Sequence, residues 1–322
     1  MSKEMGPIAG GGVSVVLGTY NRLPYLKMAI SSIRSELTRL GGDNEIIVVD
    51  GGSTDRTVRW LTAQKDIITI VQHNKGEFNG KPVKPRSWGY FMNLAFRAAS
   101  GKYVCMLSDD CIVLEGAISN ARGLLEEKTE KGEKVGAAAF YYRDYLEEDE
   151  YKVNLLFDRV VNINHGLFLN SALHDAGYAE ASLYEFYWGD FDLTLKLYHK
   201  GYQVIESPDS YVEHFHRLKY HPAYDKTTGG NIKNIERDKE TFLERWGSCF
   251  PGHKAISVTK RKYYRDLKGT ASVFISKMPV NMKLAEKLSA AGGNISRIGR
   301  AMSRLQLISR SKRRTGNGTI GK

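Results

Sequence analysis

The sequence predicts an α/β protein with a mostly parallel, Rossmann-like central sheet flanked by helices, followed by a basic, mainly helical C-terminal extension. Three observations support this. Short apolar runs alternate with helical patterns through the first half of the chain, the pattern of a parallel sheet covered on both faces. Three of those runs end in polar clusters, where such sheets gather ligands. The charge is also divided unevenly: from Pro251 onward there are 17 Lys and Arg against 2 Asp and Glu, and before it 30 against 34. The net charge of +11 therefore belongs to the tail.

In chain order, the strand candidates are "VSVVLGT" (13–19), "EIIVVD" (45–50), "IITIVQH" (67–73), "YVCMLS" (103–108) and "VGAAAFYY" (135–142). Helical patterns fill 24–40, 54–64, 87–100 and 115–130. The first is opened by Pro24 and closed by Gly41 and Gly42. A later amphipathic helix, within "GDFDLTLKLYHKGY" (189–202), points Leu193, Leu197 and Tyr198 inward and closes at Gly201. Asp190 and Asp192 stand at its start, and Asp192 reads as a cap on backbone N–H groups. His214 and His216 alternate on a short strand and share a face.

Composition bounds the function classes. With 42% hydrophobic and 26% charged residues, the chain is an ordinary globular protein, with one large domain over 12–250 and an extension over 251–322. Three cysteines without metal-ligand spacing suit a reducing compartment. No signal peptide or run of about 20 apolar residues is seen. A cytoplasmic protein is expected, one that sits peripherally on the membrane if its tail binds there. No GxGxxG follows the first strand, which disfavours a dinucleotide site, and neither a P-loop nor HExxH occurs.

The polar clusters are "GTYNR" (18–22), "DGGSTD" (50–55) and "SDD" (108–110). Each alone reads as turn and cap chemistry; together they converge on one sheet edge. Asp109 and Asp110 ask most of the fold. Two adjacent carboxylates at the rim of a core cost free energy unless a cation or ligand uses them.

The segments "VSVVLGTYNR", "EIIVVDGGSTDRT", "GKYVCMLSDD" and "GDFDLTLKLYHKGY", in this order and spacing, resemble glycosyltransferase family 2, inverting enzymes of the GT-A fold. The resemblance covers about residues 12–250. It implies that Thr19, Tyr20 and Arg22 form the donor-nucleotide loop, that Asp50 contacts the base, and that Asn93 belongs to the donor site. It likewise implies Asp109 near the ribose, Asp110 as ligand of Mn2+ or Mg2+, His214 as a further metal ligand, and Asp190 as the general base. The chain departs from the family pattern at four positions. Gly51 stands for a second aspartate, Met92 for an arginine, Gly189 for a glutamate before the base, and Phe242 for the glutamine of a Gln-x-x-Arg-Trp motif.

The implied reaction moves a sugar from a nucleotide-diphosphate sugar, a UDP-sugar by family habit, to a hydroxyl of a glycan or lipid-linked acceptor. Two other readings stay open. A sugar nucleotidyltransferase would show a Gly-rich triphosphate loop, which "VSVVLGTYNR" lacks. A non-catalytic module for anionic surfaces or nucleic acid would rest on the tail, where few aromatics interleave the basic residues; no nucleic-acid partner is expected. Within the tail, "NISRIGRAMSRLQLISRSKRR" (294–314) sets Ile295, Ile298, Met302 and Leu305 opposite Arg297, Arg300 and Arg304. This pattern suits either an anionic membrane surface or packing onto the body. The final "TGNGTIGK" reads as disordered.

Overall fold

The computed structural model describes residues 10–74, 77–82, 85–144, 148, 150–215 and 232–261. His216, the expected helix over 294–314 and the rest of the extension past 261 lie outside the described residues.

The N-terminal half forms the expected alternation: β1 (Gly10–Thr19), α1 (Leu23–Leu40), β2 (Glu45–Asp50), α2 (Thr57–Leu61) and β3 (Ile67–Val71). A two-stranded ribbon of β4 (Glu77–Phe78) and β5 (Lys81–Pro82) follows, then α3 (Trp88–Ala98) and β6 (Gly101–Met106). The chain continues through β7 (Cys111–Val113), α4 (Ala117–Glu130), β8 (Val135–Asp144), β9 (Tyr151–Leu156), β10 (Val160–Val161) and β11 (Gly166–Leu169). After α5 (Asn170–Asp175), α6 (Gly189–His199) and β12 (Gln203–His214) come α7 (Ile232–Trp246) and β13 (Ile256–Arg261).

Strands β3, β2, β1 and β6 lie side by side and parallel. The sheet then turns mixed, because β11 runs antiparallel between β6 and β8. Strand β12 pairs parallel with β8 and antiparallel with β7, and β13 pairs antiparallel with β9 along its length. Strand β8 is buried at all ten positions, which accounts for the continuous apolar run in its sequence.

Two apolar clusters hold this frame. The larger packs Val13, Val15, Leu17, Val48 and Cys105 of the sheet against Leu26, Ile30 and Ile33 of α1 and Ile118 and Leu125 of α4. Burying each such large side chain contributes about 1.5–3 kcal/mol. Buried Glu36 of α1 ties the helices together by accepting from the backbone N–H groups of Gly116 (2.9 Å) and Ile118 (3.3 Å) at the start of α4. The smaller cluster stacks Phe157 between Phe250 (4.5 Å between centroids) and Phe242 (5.8 Å). Phe242, at the expected glutamine position, is therefore a core residue.

Some boundaries differ from expectation for local reasons. The strand expected to reach Ser108 ends at Met106, because Ser108 accepts from the Cys111 N–H (3.2 Å) in a turn. The second helix shortens to five residues. Arg56 takes φ 82°, and Asp55 caps the first helical N–H, that of Thr57, at 3.1 Å. Tyr198, expected inward, is 47% exposed; Leu193 and Leu197 fill the buried side instead. Gly201 closes α6 with φ 78°, the left-handed conformation that suits glycine.

Candidate active site

The carboxylate pair lies in the β6–β7 turn, at the C-terminal ends of the parallel strands, and both residues are buried. Thr19, the last residue of β1, donates its hydroxyl to Asp109 Oδ2 (2.7 Å). Arg22 Nη1 lies 2.8 Å from Asp109 Oδ1 and 3.0 Å from Asp110 Oδ2. One guanidinium thus offsets two neighbouring charges. Burial works against the Arg22 charge, but Asp110 and Asp109 outweigh it and hold the group firmly protonated. Burial pushes the Asp109 carboxyl up, against the pull of Arg22.

Strand register delivers the histidine. His214 stands opposite Cys111 on β7 and beside Asp144 on β8. Because β7 begins directly after Asp110, His214 Nε2 comes within 3.4 Å of Asp110 Oδ1, while its Nδ1 lies 3.0 Å from Asp144 Oδ1. Burial lowers the imidazole pKa, yet the Asp110 and Asp144 carboxylates more than reverse this, to about 9. Lys152 Nζ lies 3.6 Å from the other Asp144 oxygen. Asp144 has no motif in the sequence, and only the β8–β12 register reveals it.

The two nucleotide-loop segments brace each other. Asn21, at φ 54°, accepts from the Thr54 N–H (2.7 Å), and its own N–H donates to Ser53 Oγ (2.8 Å). Asp50 Oδ1 accepts from Gly52 N (2.8 Å) and Ser53 N (2.6 Å), whereas its buried Oδ2 has no hydrogen-bond partner among the described residues. Gly52, at φ 86°, would place a Cβ 2.4 Å from His73, so only glycine fits there.

The departures from the family pattern have steric counterparts. The Tyr20 ring covers Gly51, where a Cβ would lie 3.2 Å from it. A Cβ on Gly189 would lie 2.8 Å from the Trp88 ring. Met92 is buried beneath Gly18. Asn93 commits both ends of its amide to the Ala179 backbone (2.9 Å each), so it fixes the loop before α6.

Asp190 and Asp192 separate clearly in environment. Asp190 Oδ2 accepts from Asn164 Nδ2 at 2.7 Å. Asn164 Oδ1 in turn accepts from Asn154 Nδ2 (3.1 Å) and Asn162 Nδ2 (3.0 Å), and Asn154 also reaches the Tyr142 hydroxyl (3.1 Å). With two NH2 groups facing its oxygen, Asn164 has only its nitrogen to offer Asp190. Burial pushes the Asp190 carboxyl up to about 6, opposed by the Asp190 and Phe191 N–H groups and Asn162. Sequence reasoning missed these three asparagines, although "NINH" (162–165) holds two of them.

The expected capping role of Asp192 is not what the structure shows. Its side chain turns into the core, where Oδ1 accepts from Trp246 Nε1 (2.8 Å) and the Tyr184 hydroxyl (3.0 Å) and lies 3.3 Å from Arg245 Nε. It secures α6 to the "ERW" end of α7. In the same way, Asp238 of α7 accepts from the N–H groups of Glu185, Phe186 and Tyr187.

The donor set suits a divalent cation. Asp110 Oδ1 and His214 Nε2, 3.4 Å apart, approach the roughly 3 Å that separates adjacent ligands of Mg2+ or Mn2+. Asp144 holds the far imidazole nitrogen, as partners of metal-bound histidines do.

Comparison with known proteins agrees with the sequence. Residues 14–173 match the family model for Glycosyl transferase family 2. An uncharacterised glycosyltransferase of Nostoc sp. is 34% identical over 100 residues, 30% of this chain and 28% of that protein. Chondroitin synthase of Escherichia coli is 32% identical over 103 residues, 31% of this chain and 13% of its own length. The matched regions thus span less than a third of these relatives. Among solved structures, a Pyrobaculum calidifontis mannosyltransferase in complex with GDP-Man and Mn2+ superposes with a TM-score of 0.48 at 16% identity, over 94% of this chain and 82% of that one.

Proposed function

This chain belongs to glycosyltransferase family 2, and from that premise we propose that it is an inverting, metal-dependent enzyme with Asp190 as its general base. The donor is a nucleotide-diphosphate sugar and the acceptor a hydroxyl of a glycan or lipid-linked saccharide. The observation that carries this reading is the division of labour between two carboxylate sites. Asp109 and Asp110 are clamped by Arg22 and His214 at the strand ends. Asp190 stands on another element, beside amides rather than cations.

In this reading Arg22 turns from the carboxylate pair to the donor diphosphate, whose oxygens accept from its planar fork bidentately. Asp50 Oδ2 and Tyr20 take the nucleoside, Asp50 as acceptor and Tyr20 as a ring beside it, and Asp109 and Thr19 face the ribose. Asn93 keeps the 179 loop in place. Asp110 and His214 would hold Mn2+ or Mg2+, which would supply positive charge beside the diphosphate leaving group. Asp190 removes the proton of the acceptor hydroxyl, whose oxygen then attacks the anomeric carbon from the face opposite the diphosphate. The bond to the diphosphate oxygen breaks with its electron pair, and a single displacement inverts the centre, as at inverting hydrolases. UDP is the proposed nucleotide, with Gly51 and the Tyr20 ring at the family's second base-reading position.

We place the enzyme in the cytoplasm, with the basic tail as a contact for anionic membrane. Among the described residues, no helix is long and apolar enough to cross a membrane. Incubating the protein with a panel of nucleotide-sugars, with and without Mn2+, tests the function. Slow cation-dependent release of one nucleoside diphosphate supports it. Absence of turnover together with absence of any nucleotide-induced thermal shift refutes it.

A further inference from the structure

We propose that Cys111, His165 and His214, together with Asp110, form a tetrahedral site for a soft divalent cation such as Zn2+. The antiparallel register places His214 directly opposite Cys111, so their side chains share one face of the ladder. His165, just before β11, approaches the same point: its Nδ1 and Nε2 lie 3.9 and 3.7 Å from Cys111 Sγ, so a turn of the ring aims one nitrogen at the site, and its ring is 5.1 Å from that of His214. One donor atom from each of the three lies within 4.8 Å of the others, and Asp110 Oδ1 is 3.4 Å from His214 Nε2.

These separations suit zinc. Bonds of about 2.3 Å to sulfur and about 2.1 Å to nitrogen or oxygen put tetrahedral S···N pairs about 3.6 Å apart and N···O pairs about 3.4 Å apart. The Cys111–His165 and His214–Asp110 pairs already stand at that spacing. Bringing donor atoms 4.8 Å apart to tetrahedral spacing takes a closure of about 1.2–1.4 Å, within reach of an imidazole rotation. Charge balances as well: thiolate and carboxylate offset the cation, and the Cys111 thiol proton and the His214 Nε2 proton both leave to solvent on binding. A thiolate with two imidazoles selects Zn2+ or Co2+ over Mg2+ and Mn2+. Asp144, on His214 Nδ1, supplies the outer hydrogen bond that metal-bound histidines keep.

The site shares His214 and Asp110 with the cation of the proposed reaction, so the two occupancies exclude each other. A soft cation then inhibits sugar transfer even when Mn2+ is abundant. That consequence rests on the proposed function, whereas the site itself does not.

The test is a Co2+ titration of the full chain without nucleotide, read by absorption. A thiolate-to-cobalt charge-transfer band with intense tetrahedral visible bands, saturating at one equivalent and displaced by Zn2+, is the expected result. The band is lost in Cys111→Ser and His165→Gln but kept in Cys249→Ser, which removes the exposed thiol. Asp144→Asn weakens Co2+ binding about 10–100-fold. A wild-type spectrum without the thiolate band overturns the site whether or not any variant folds, as does a band that survives in Cys111→Ser. Should the band appear in a protein without Mn2+-supported turnover, the site stands and the proposed function fails. Should turnover occur without the band, the site alone fails.

Discussion

Asn164 Nδ2 donates to Asp190 Oδ2 at 2.7 Å, while the carbonyl end of the same amide is held by Asn154 and Asn162. The donor therefore cannot rotate away, and it favours the ionised form of the carboxylate. Replacing Asn164 with Ala removes that preference. The pH at which turnover is half-maximal rises by about one unit, the scale of a single charge-assisted hydrogen bond. A pH–rate profile checks this, and a profile that falls in height without moving along the axis contradicts it.

The wild-type profile follows from the same group. Asp190 must be ionised to accept a proton, and burial lifts its pKa from 3.8 to about 6. Turnover thus climbs about tenfold per pH unit below 6 and levels off above it. For stability the sign is opposite. A pKa raised on folding contributes stability fully present below 3.8 and lost as pH rises through about 6. At pH 7 the charge is a cost, so Asp190→Asn raises the melting temperature at pH 7 and leaves it little changed at pH 4. Melting curves at the two pH values decide.

Asp110→Asn abolishes cation-dependent nucleotide binding, weakening it by about 100-fold or more, the several kcal/mol a metal contributes. The fold persists, since Asp109 still engages Arg22 and Thr19. Calorimetry with Mn2+ measures the loss directly, and unchanged affinity in a folded variant refutes the metal assignment.

Asp192→Ala strands three donors, Trp246 Nε1, the Tyr184 hydroxyl and Arg245. It costs about 3 kcal/mol or more, beyond the 0.5–2 kcal/mol of a lost helix cap. Its effect is a lower melting temperature, with turnover per folded molecule largely kept. A stable but inactive variant contradicts the core role.

How legible each part was depended on how local its cause is. The parallel half and its polar strand ends could be read, since runs such as "EIIVVD" and turns such as "DGGSTD" (50–55) act within a few residues. Asp109 and Asp110 stood out because a charge pair closing an apolar strand is costly. Asp144 and His165 were invisible, because only the registers of β8, β11 and β12 bring them to His214. Asp192 was misread for a related reason. A helix-start aspartate usually caps, but here Trp246 arrives from 54 positions away and claims the carboxylate.

The division between cation-holding and proton-accepting carboxylates is tested most directly at Asp190. Asp190→Asn preserves size and a hydrogen-bonding carbonyl opposite Asn164 while removing basicity. Measure the transfer rate and the affinity for donor nucleotide with Mn2+ in the wild type and this variant. The predicted result is turnover lowered by about 10²-fold or more, with nucleotide affinity unchanged and no loss of melting temperature. A variant that transfers sugar at the wild-type rate would show that the acceptor proton goes to another group.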